Sequence, residues 1–186
     1  LNAGLQITEP AALSATVTDT DISCFGASNG LITITNSAGG YGTFQYTING
    51  GGTWQDSPVF SPLAAGVYDV RMRDRAHTSC TAMLATITIT EPAALSAVVT
   101  GTNITCHGAN DGTIIISAAA GGYGTYAYSV NGGSSWQGSG TFTGLPAGTY
   151  NVRMRDALNP SCVLILNPAL VITEPAQLAG TVSKTN

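Results

Sequence analysis

Four cysteines, two histidines and ten acidic residues are the strongest nucleophiles, metal ligands and acid–base groups in this 186-residue chain. Cys24 and Cys80 stand 56 residues apart, and so do Cys106 and Cys162. A structural zinc site would bring its ligands in close pairs such as Cys-x-x-Cys. No such pair occurs, and His77 and His107 align with Asn159 and Phe25 when the two halves of the chain are superposed. Disulfide chemistry is therefore the leading reading, and four cysteines permit three pairings. Because each half should fold alike, the expected bridges are Cys24–Cys80 and Cys106–Cys162. In the chain-entropy model a bridge over such a loop contributes about 4 kcal/mol. Disulfides would place the chain outside the cytoplasm. Free buried thiols, two per half, are the alternative.

The remaining groups do not assemble a reaction centre. No Ser-His-Asp or Cys-His arrangement can be built in both halves, so no catalytic residue is expected and each histidine is read as a surface or loop residue. No cofactor-binding motif is present, and no cofactor is expected. Calcium would need several oxygens together. Asp19 and Asp21 face Gly101 and Asn103 in the other half, Asp111 faces Asn29, and Asp56 faces Gly138. Only Asp74 with Asp156, and a glutamate before each repeated proline, recur, so no metal site is expected. Asp74 reads instead as a partner of a neighbouring arginine or a turn cap. Asn103-Ile104-Thr105 matches an N-glycosylation sequon but is read as idle.

Two sets of residues are candidates for surface binding. Arg71 and Arg73, with Arg153 and Arg155, lie two apart and so share one strand face. Such a row suits acidic sugars or a neighbouring filament, but a solvated face with cross-strand polar pairs is favoured. Trp54 and Trp136, with Tyr41, Phe44, Tyr123 and Tyr126, would make a sugar-stacking platform if exposed. Packing against the core is the favoured reading, since aromatics carry large apolar area.

What positions these residues is a repeat. Thr8-Glu9-Pro10-Ala11-Ala12-Leu13 recurs at Thr90–Leu95 and, as Thr-Glu-Pro-Ala-Gln-Leu, at Thr173–Leu178. The periods are 82 and 83 residues. Roughly 40 of 70 aligned positions are identical between residues 11–80 and 93–162, which is duplication rather than chance. The boundaries read as the last strand of one repeat (1–10), two complete repeats (11–92 and 93–175), and the first strand of another (176–186). This predicts a longer parent array. Pro92 and the extended residue before it make a short, stiff joint.

Within a repeat, period-two alternation marks strands. Ile32 and Ile34 share one face, Phe44, Tyr46 and Ile48 another, then Tyr68, Val70 and Met72, then Ala85, Ile87 and Ile89. Asn49-Gly50 and Asn131-Gly132 read as two-residue hairpin turns. Pro168 and one extra residue in the last strand of the second repeat call for a bulge at a sheet edge. Leu63–Tyr68 and Leu145–Tyr150 resemble a tyrosine corner, with Tyr68 and Tyr150 as the structural corner residues. The fold class expected is all-β, as tandem immunoglobulin-like antiparallel β-sandwich repeats.

Composition agrees. Charged residues are 9% and apolar residues 44%, with 23 glycines, which suits short strands and tight turns and not disorder. The net charge of −4 offers no basic stripe for nucleic acid. No apolar run is long enough for a membrane helix.

Asp21-Ile22-Ser23-Cys24-Phe25-Gly26-Ala27-Ser28-Asn29-Gly30, Tyr46–Gly51, Leu63–Val70 and Ile87-Thr88-Ile89-Thr90-Glu91-Pro92 together resemble the SprB repeat. The second copy, from Asn103 to Pro175, resembles it equally, so the likeness covers nearly the whole chain. The resemblance implies a repeat of very large cell-surface adhesins of gliding Bacteroidetes, exported by type IX secretion. The expected function is thus a structural and adhesive segment of an extracellular cell-surface filament, serving attachment or gliding motility, and not an enzyme. The alternative is a carbohydrate-binding module of a secreted multidomain protein. The expected partners are neighbouring repeats, surface polysaccharide, or other copies in a fibre.

Overall fold

The computed structural model describes residues 8–184. Most of the first expected strand, 1–10, therefore lies outside the described residues. No helix occurs among those described, and every pairing between strands is antiparallel. The chain divides into two compact units, Leu1–Glu91 and Pro92–Asn186.

The first unit holds β1 (Ser14–Thr20), β2 (Gly30–Ala38), β3 (Phe44–Thr47), β4 (Val59–Leu63), β5 (Gly66–Asp74) and β6 (Thr81–Ile89). One sheet runs β1-β2-β4 and the other β3-β5-β6. Alternation drives both. Ile32 and Ile34 of β2 turn inward to meet Tyr46 of β3, Val70 and Met72 of β5, and Ile89 of β6 in one buried cluster. Both sheets thus bury their apolar faces against a common core, which is how amphipathic strands escape water.

The second unit repeats this plan with β7 (Ser96–Thr102), β8 (Gly112–Ala120), β9 (Tyr126–Ser129), β10 (Thr141–Leu145), β11 (Gly148–Asp156) and β12 (Val163–Ile172). Its sheets run β7-β8-β10 and β9-β11-β12. Ile114, Ile116, Tyr128, Val152, Met154 and Ile172 form its core. No strand follows Ile172 among the described residues, and Leu178 and Val182 are fully exposed.

Three details depart from simple alternation. In β6, Ala85 pairs with Val70 but Met83 pairs with Arg71, so one extra residue sits in the ladder. That bulge switches the inward set: Ala82 and Leu84 pack on the core before it, Ile87 and Ile89 after it. In β12 the register shifts twice, between Leu170 and Asn167 and between Asn167 and Ile165. Pro168 sits in the first shift, on an edge strand, where its missing N–H costs no ladder bond.

The third departure is the Asn49-Gly50 turn. Tyr46 exchanges both backbone hydrogen bonds with Gln55, so the hairpin closes there and not at the Asn-Gly pair. The loop between is wider than the sequence suggests because Asn49 organises it from within. Asn49 Oδ1 accepts from Thr53 N–H and from the buried Thr47 hydroxyl, and Asn49 Nδ2 donates to Thr53 Oγ1. Asn131 does the same with Ser129 and Ser135. Local side-chain bonds of this kind compete well with a tight turn.

The strands give each unit two ends. The chain arrives at the end formed by the β2–β3 and β5–β6 turns, where Gly40 N–H donates to Ala11 O. It departs at the end formed by the β1–β2 turn, where Ile22 N–H donates to Thr90 O just past β6.

Candidate functional site

The departure end is fastened by side chains that bond backbone amides. Asp21 Oδ1 accepts from Thr90 N–H at 2.7 Å, while Ile22 N–H reaches Thr90 O at 3.0 Å. These two bonds zip the residue just past β6 onto the chain leaving β1. One residue on, Glu91 Oε2 accepts from Gly26 N–H at 3.0 Å. Gly26 has φ +74°, a left-handed conformation that glycine adopts without steric cost, and this turns its N–H toward the carboxylate. The second unit builds the same clamp: Asn103 Oδ1 takes Thr173 N–H at 2.9 Å, and Glu174 Oε2 takes Gly108 N–H at 3.0 Å. His107 Nδ1 lies 3.6 Å from Glu174. The Cys-x-Gly loop and the distant Thr-Glu-Pro are thus one device, which explains why both recur together.

Ser23 N–H donates to Asn29 Oδ1, and Thr105 N–H and hydroxyl both donate to Asp111. Those two bonds from Thr105 hold the Asp111 carboxyl below its usual range. Asp21 and Asp111 are therefore occupied as caps for backbone N–H groups rather than gathered for calcium. No group of three or more His, Cys, Asp or Glu suited to a metal occurs among the described residues.

The arrival end is held by a buried carboxylate. Asp74 is fully buried and accepts from Tyr41 N–H at 2.6 Å, Ala76 N–H at 2.8 Å and His77 N–H at 2.9 Å. The Tyr41 bond, with those from His77 and Ala76, holds its carboxyl below the usual range against the opposing effect of burial. Asp156 is equally buried and binds Tyr123, Leu158 and Asn159 N–H. There burial pushes upward most strongly, but the three backbone donors together outweigh it and the carboxyl lies low. A Cβ on Gly40 or Gly122 would collide with these carboxylates. The sequence marks Asp74 and Asp156 only as recurring acids; their spacing alone does not separate a turn cap from an arginine partner, and the structure makes them caps.

The cysteines require a correction. Cys80 and Cys106 are free and exposed, whereas Cys24 and Cys162 are disulfide-bonded. Neither expected bridge, Cys24–Cys80 or Cys106–Cys162, is present. The reason is geometric. Cys24 follows Ile22 at the departure end, and Cys80 immediately precedes β6 at the arrival end. The length of β6 separates them, about 30 Å at the rise of a strand, while a disulfide needs Cα atoms within about 7 Å. Cys106 and Cys162 are separated in the same way by β12.

The other candidate residues fall into separate places. Tyr68 donates its hydroxyl to Ala64 O at 2.8 Å, and Tyr150 donates to Pro146 O at 2.7 Å. Trp54 is half-buried, with its indole N–H on Gly51 O and the Arg73 guanidinium 4.4 Å above the ring. Trp136 and Arg155 stack at the same distance. Arg73 also donates twice to Gln45 Oε1, across the strand pair. Arg71 forks onto Asp69 at 2.8 and 2.6 Å, and each holds the other in its charged form, the Asp69 carboxyl low and the guanidinium high. Arg153 donates to Asn151 Oδ1. His77 stacks on Tyr41 with ring centroids 4.1 Å apart. Each arginine of the candidate row is thus engaged with a neighbour of its own face.

An all-β chain of two like units, each with one end clamped by a Glu-Pro exit and the other by a buried aspartate, is a tandem-repeat protein. The family model described as SprB repeat matches it twice, over residues 16–53 and 98–135, the same span of each unit. The resemblance read from the sequence is thereby borne out. No curated protein and no solved structure shows detectable similarity to the chain. Among the described residues, no helix is long and apolar enough to cross a membrane.

Proposed function

We propose that this chain is a structural and adhesive segment of a long extracellular filament on the bacterial surface, each repeat being an immunoglobulin-like sandwich. SprB repeats imply a segment of a Bacteroidetes surface adhesin. The sandwich reading is supported by the strand order: β1-β2-β4 against β3-β5-β6 corresponds to the ABE and CFG sheets of an immunoglobulin-type domain without its D strand. It is also supported by Tyr68 and Tyr150, whose hydroxyls return to the backbone just upstream, as a tyrosine corner does. Export by type IX secretion, and service in gliding or attachment, follow from the same family reading.

The observation that carries the proposal is the clamp at the departure end. Asp21 and Glu91 in one unit, and Asn103 and Glu174 in the other, fasten the exiting strand to the β1–β2 or β7–β8 loop immediately before the proline. A chain held to its domain up to the residue before proline has little freedom to bend there. That property serves a stalk built of repeats and has no evident use in catalysis. The carbohydrate-binding alternative has weaker support, since one face of each tryptophan is covered by arginine.

Antibodies raised against the two-repeat segment should label intact cells and reduce their attachment to glass. Labelling that appears only after lysis would overturn the surface assignment. A glycan array tests the alternative: binding that Trp54→Ala and Trp136→Ala abolish together would favour a carbohydrate-binding module.

A further inference from the structure

The outer face of the β3-β5-β6 sheet closes a chain of polar contacts on itself. Arg75 pairs with Asp56, Asp56 accepts from Gln45 Nε2 at 3.0 Å, and Gln45 Oε1 accepts twice from Arg73, which stacks on Trp54. Beside it Arg71 forks onto Asp69. The second unit keeps the two inner arginines and the tryptophan but loses every acceptor that carries charge. Ala157, Gly138 and Ala127 stand for Arg75, Asp56 and Gln45, and neutral Asn151 stands for Asp69. Arg155 still stacks on Trp136, yet its Nε is buried without a hydrogen-bond partner among the described residues. A buried donor left unpaired is costly.

No carboxylate of the second unit is spare to answer these arginines. Its three acidic residues are Asp111, Asp156 and Glu174. Asp111 holds Thr105, Asp156 is buried on three backbone amides, and Glu174 holds Gly108 N–H. The strand beside the arginines has changed too. Thr81 and Met83 pair with Arg73 and Arg71 in the first unit, whereas Val163 and Ile165 pair with Arg155 and Arg153 in the second. Both aliphatic side chains are exposed, at 43% and 51%.

We propose that this face of the second repeat is a binding site for the carboxylates of a uronate-bearing polysaccharide. A carboxylate lying over Ala127 takes the place that Gln45 Oε1 holds in the first unit, and accepts from Arg155 as a planar fork. Arg153, about 7 Å along the strand, takes a second carboxylate. Val163 and Ile165 pack against the C–H faces of the sugar rings. A uronate carries its carboxylate directly on a rigid ring, so charge and apolar face arrive together; a flexible acidic peptide loses more freedom in matching both. Trp136 does not stack on sugar here, since its role is to hold the guanidinium. The chain carries a net charge of −4, so a polyanion gains nothing from general attraction. In naming what the segment adheres to, this proposal rests on the adhesive reading.

The test follows the arginine Nε–H signals of the two-repeat chain by NMR during titration with polygalacturonate oligomers at about 50 mM salt, where screening is weak. The Arg155 and Arg153 signals should shift and saturate, while those of Arg73 and Arg71 stay still. Ala127→Gln supplies the acceptor from within, as Gln45 does, and should weaken binding about tenfold; Arg155→Lys keeps the charge without the fork and should weaken it comparably. An unchanged thermal melt will confirm that each variant folds, and the methyl-esterified oligomer, which lacks the charge, gives a control on the unaltered protein. The proposal is overturned by unmoved Arg155 and Arg153 signals, by an equal response of Arg73, by equal binding of the methyl ester or of polyglutamate, or by undiminished binding in both variants. Every readout uses purified protein, so the site can fail while surface labelling of cells succeeds, and the reverse.

Discussion

The two repeats agree where side chains hold backbone and differ at several surface pairs in which side chains hold each other. Asp74 and Asp156 bind the same three amide positions, Tyr68 and Tyr150 the same carbonyl position, and Glu91 and Glu174 the same glycine. The surface pairs drift. Asp69–Arg71 becomes Asn151–Arg153, and the Asp56–Arg75 ion pair at 3.0 Å has no counterpart because Gly138 and Ala157 stand there. Gln45, which fixes Arg73, is Ala127 in the other unit, and Arg155 Nε has no hydrogen-bond partner. A buried amide without an acceptor is costly, while an exposed ion pair contributes little. The comparison therefore predicts which substitutions damage a repeat.

The largest effect should come from the buried aspartates. Asp74→Ala or Asp156→Ala leaves three amide donors without an acceptor, and the altered repeat should melt about ten degrees lower while the other is unchanged. Calorimetry resolving two transitions checks this; a single unshifted transition would contradict it. Acid should act on the same residues. Both carboxyls lie below their ordinary value when folded. Their contribution is therefore complete above the unfolded carboxylate pKa of about 3.9 and is lost as pH falls through the lowered folded value. Asp→Ala should abolish that acid-dependent part of the melt.

Next in size is the corner. Tyr150→Phe removes one hydroxyl–carbonyl bond and should cost the second repeat about 1 kcal/mol, read by urea unfolding at constant m-value. If Tyr150→Phe proves as costly as Asp156→Ala, the ordering of backbone anchors argued above is wrong. Smaller again is the clamp. Glu91→Ala should lower stability by only about 0.5–1 kcal/mol, since Gly26 N–H can turn to water. Its clear signature is faster hydrogen exchange at Gly26 with little change in the β2 amides.

Much of this was legible in the sequence, and the part that was not has a common cause. Alternation identified the inward faces of β2, β3 and β5, since period two is a local property of the chain. The recurrence of Leu63–Tyr68 marked the corner, whose partner lies only four residues away. Alternation could not locate the β6 bulge, which inverts the face between Leu84 and Ile87 without changing composition. Nor did Asn49-Gly50 reveal that Asn49 would bond Thr47 and Thr53 and widen the turn. The cysteines failed for the same reason on a larger scale. Equal spacing in both repeats suggested equal bridges, but spacing does not say at which end of a strand a residue lies. The end was encoded, though indirectly: Cys80 immediately precedes β6 while Cys24 follows β1, and the Ile22–Thr90 bond sets the C-terminal ends of β1 and β6 together, so the two cysteines sit at opposite ends of strands that run the same way.

The smallest predicted effect sharpens the comparison most. Asp69→Asn makes the first repeat like the second at this position, since Asn151 already accepts from Arg153 Nε at 2.9 Å. The substitution removes a forked ion pair whose partners are each more than one-third exposed. Solvent screens such a pair, and Asn can keep one of its two hydrogen bonds, so the melting temperature should not move measurably. What should change is the titration: the acid-side signal of Asp69, lowered by its bond to Arg71, disappears from a carboxyl-detected NMR series. A large loss of stability would mean that surface charge, and not the backbone anchors, distinguishes the two repeats.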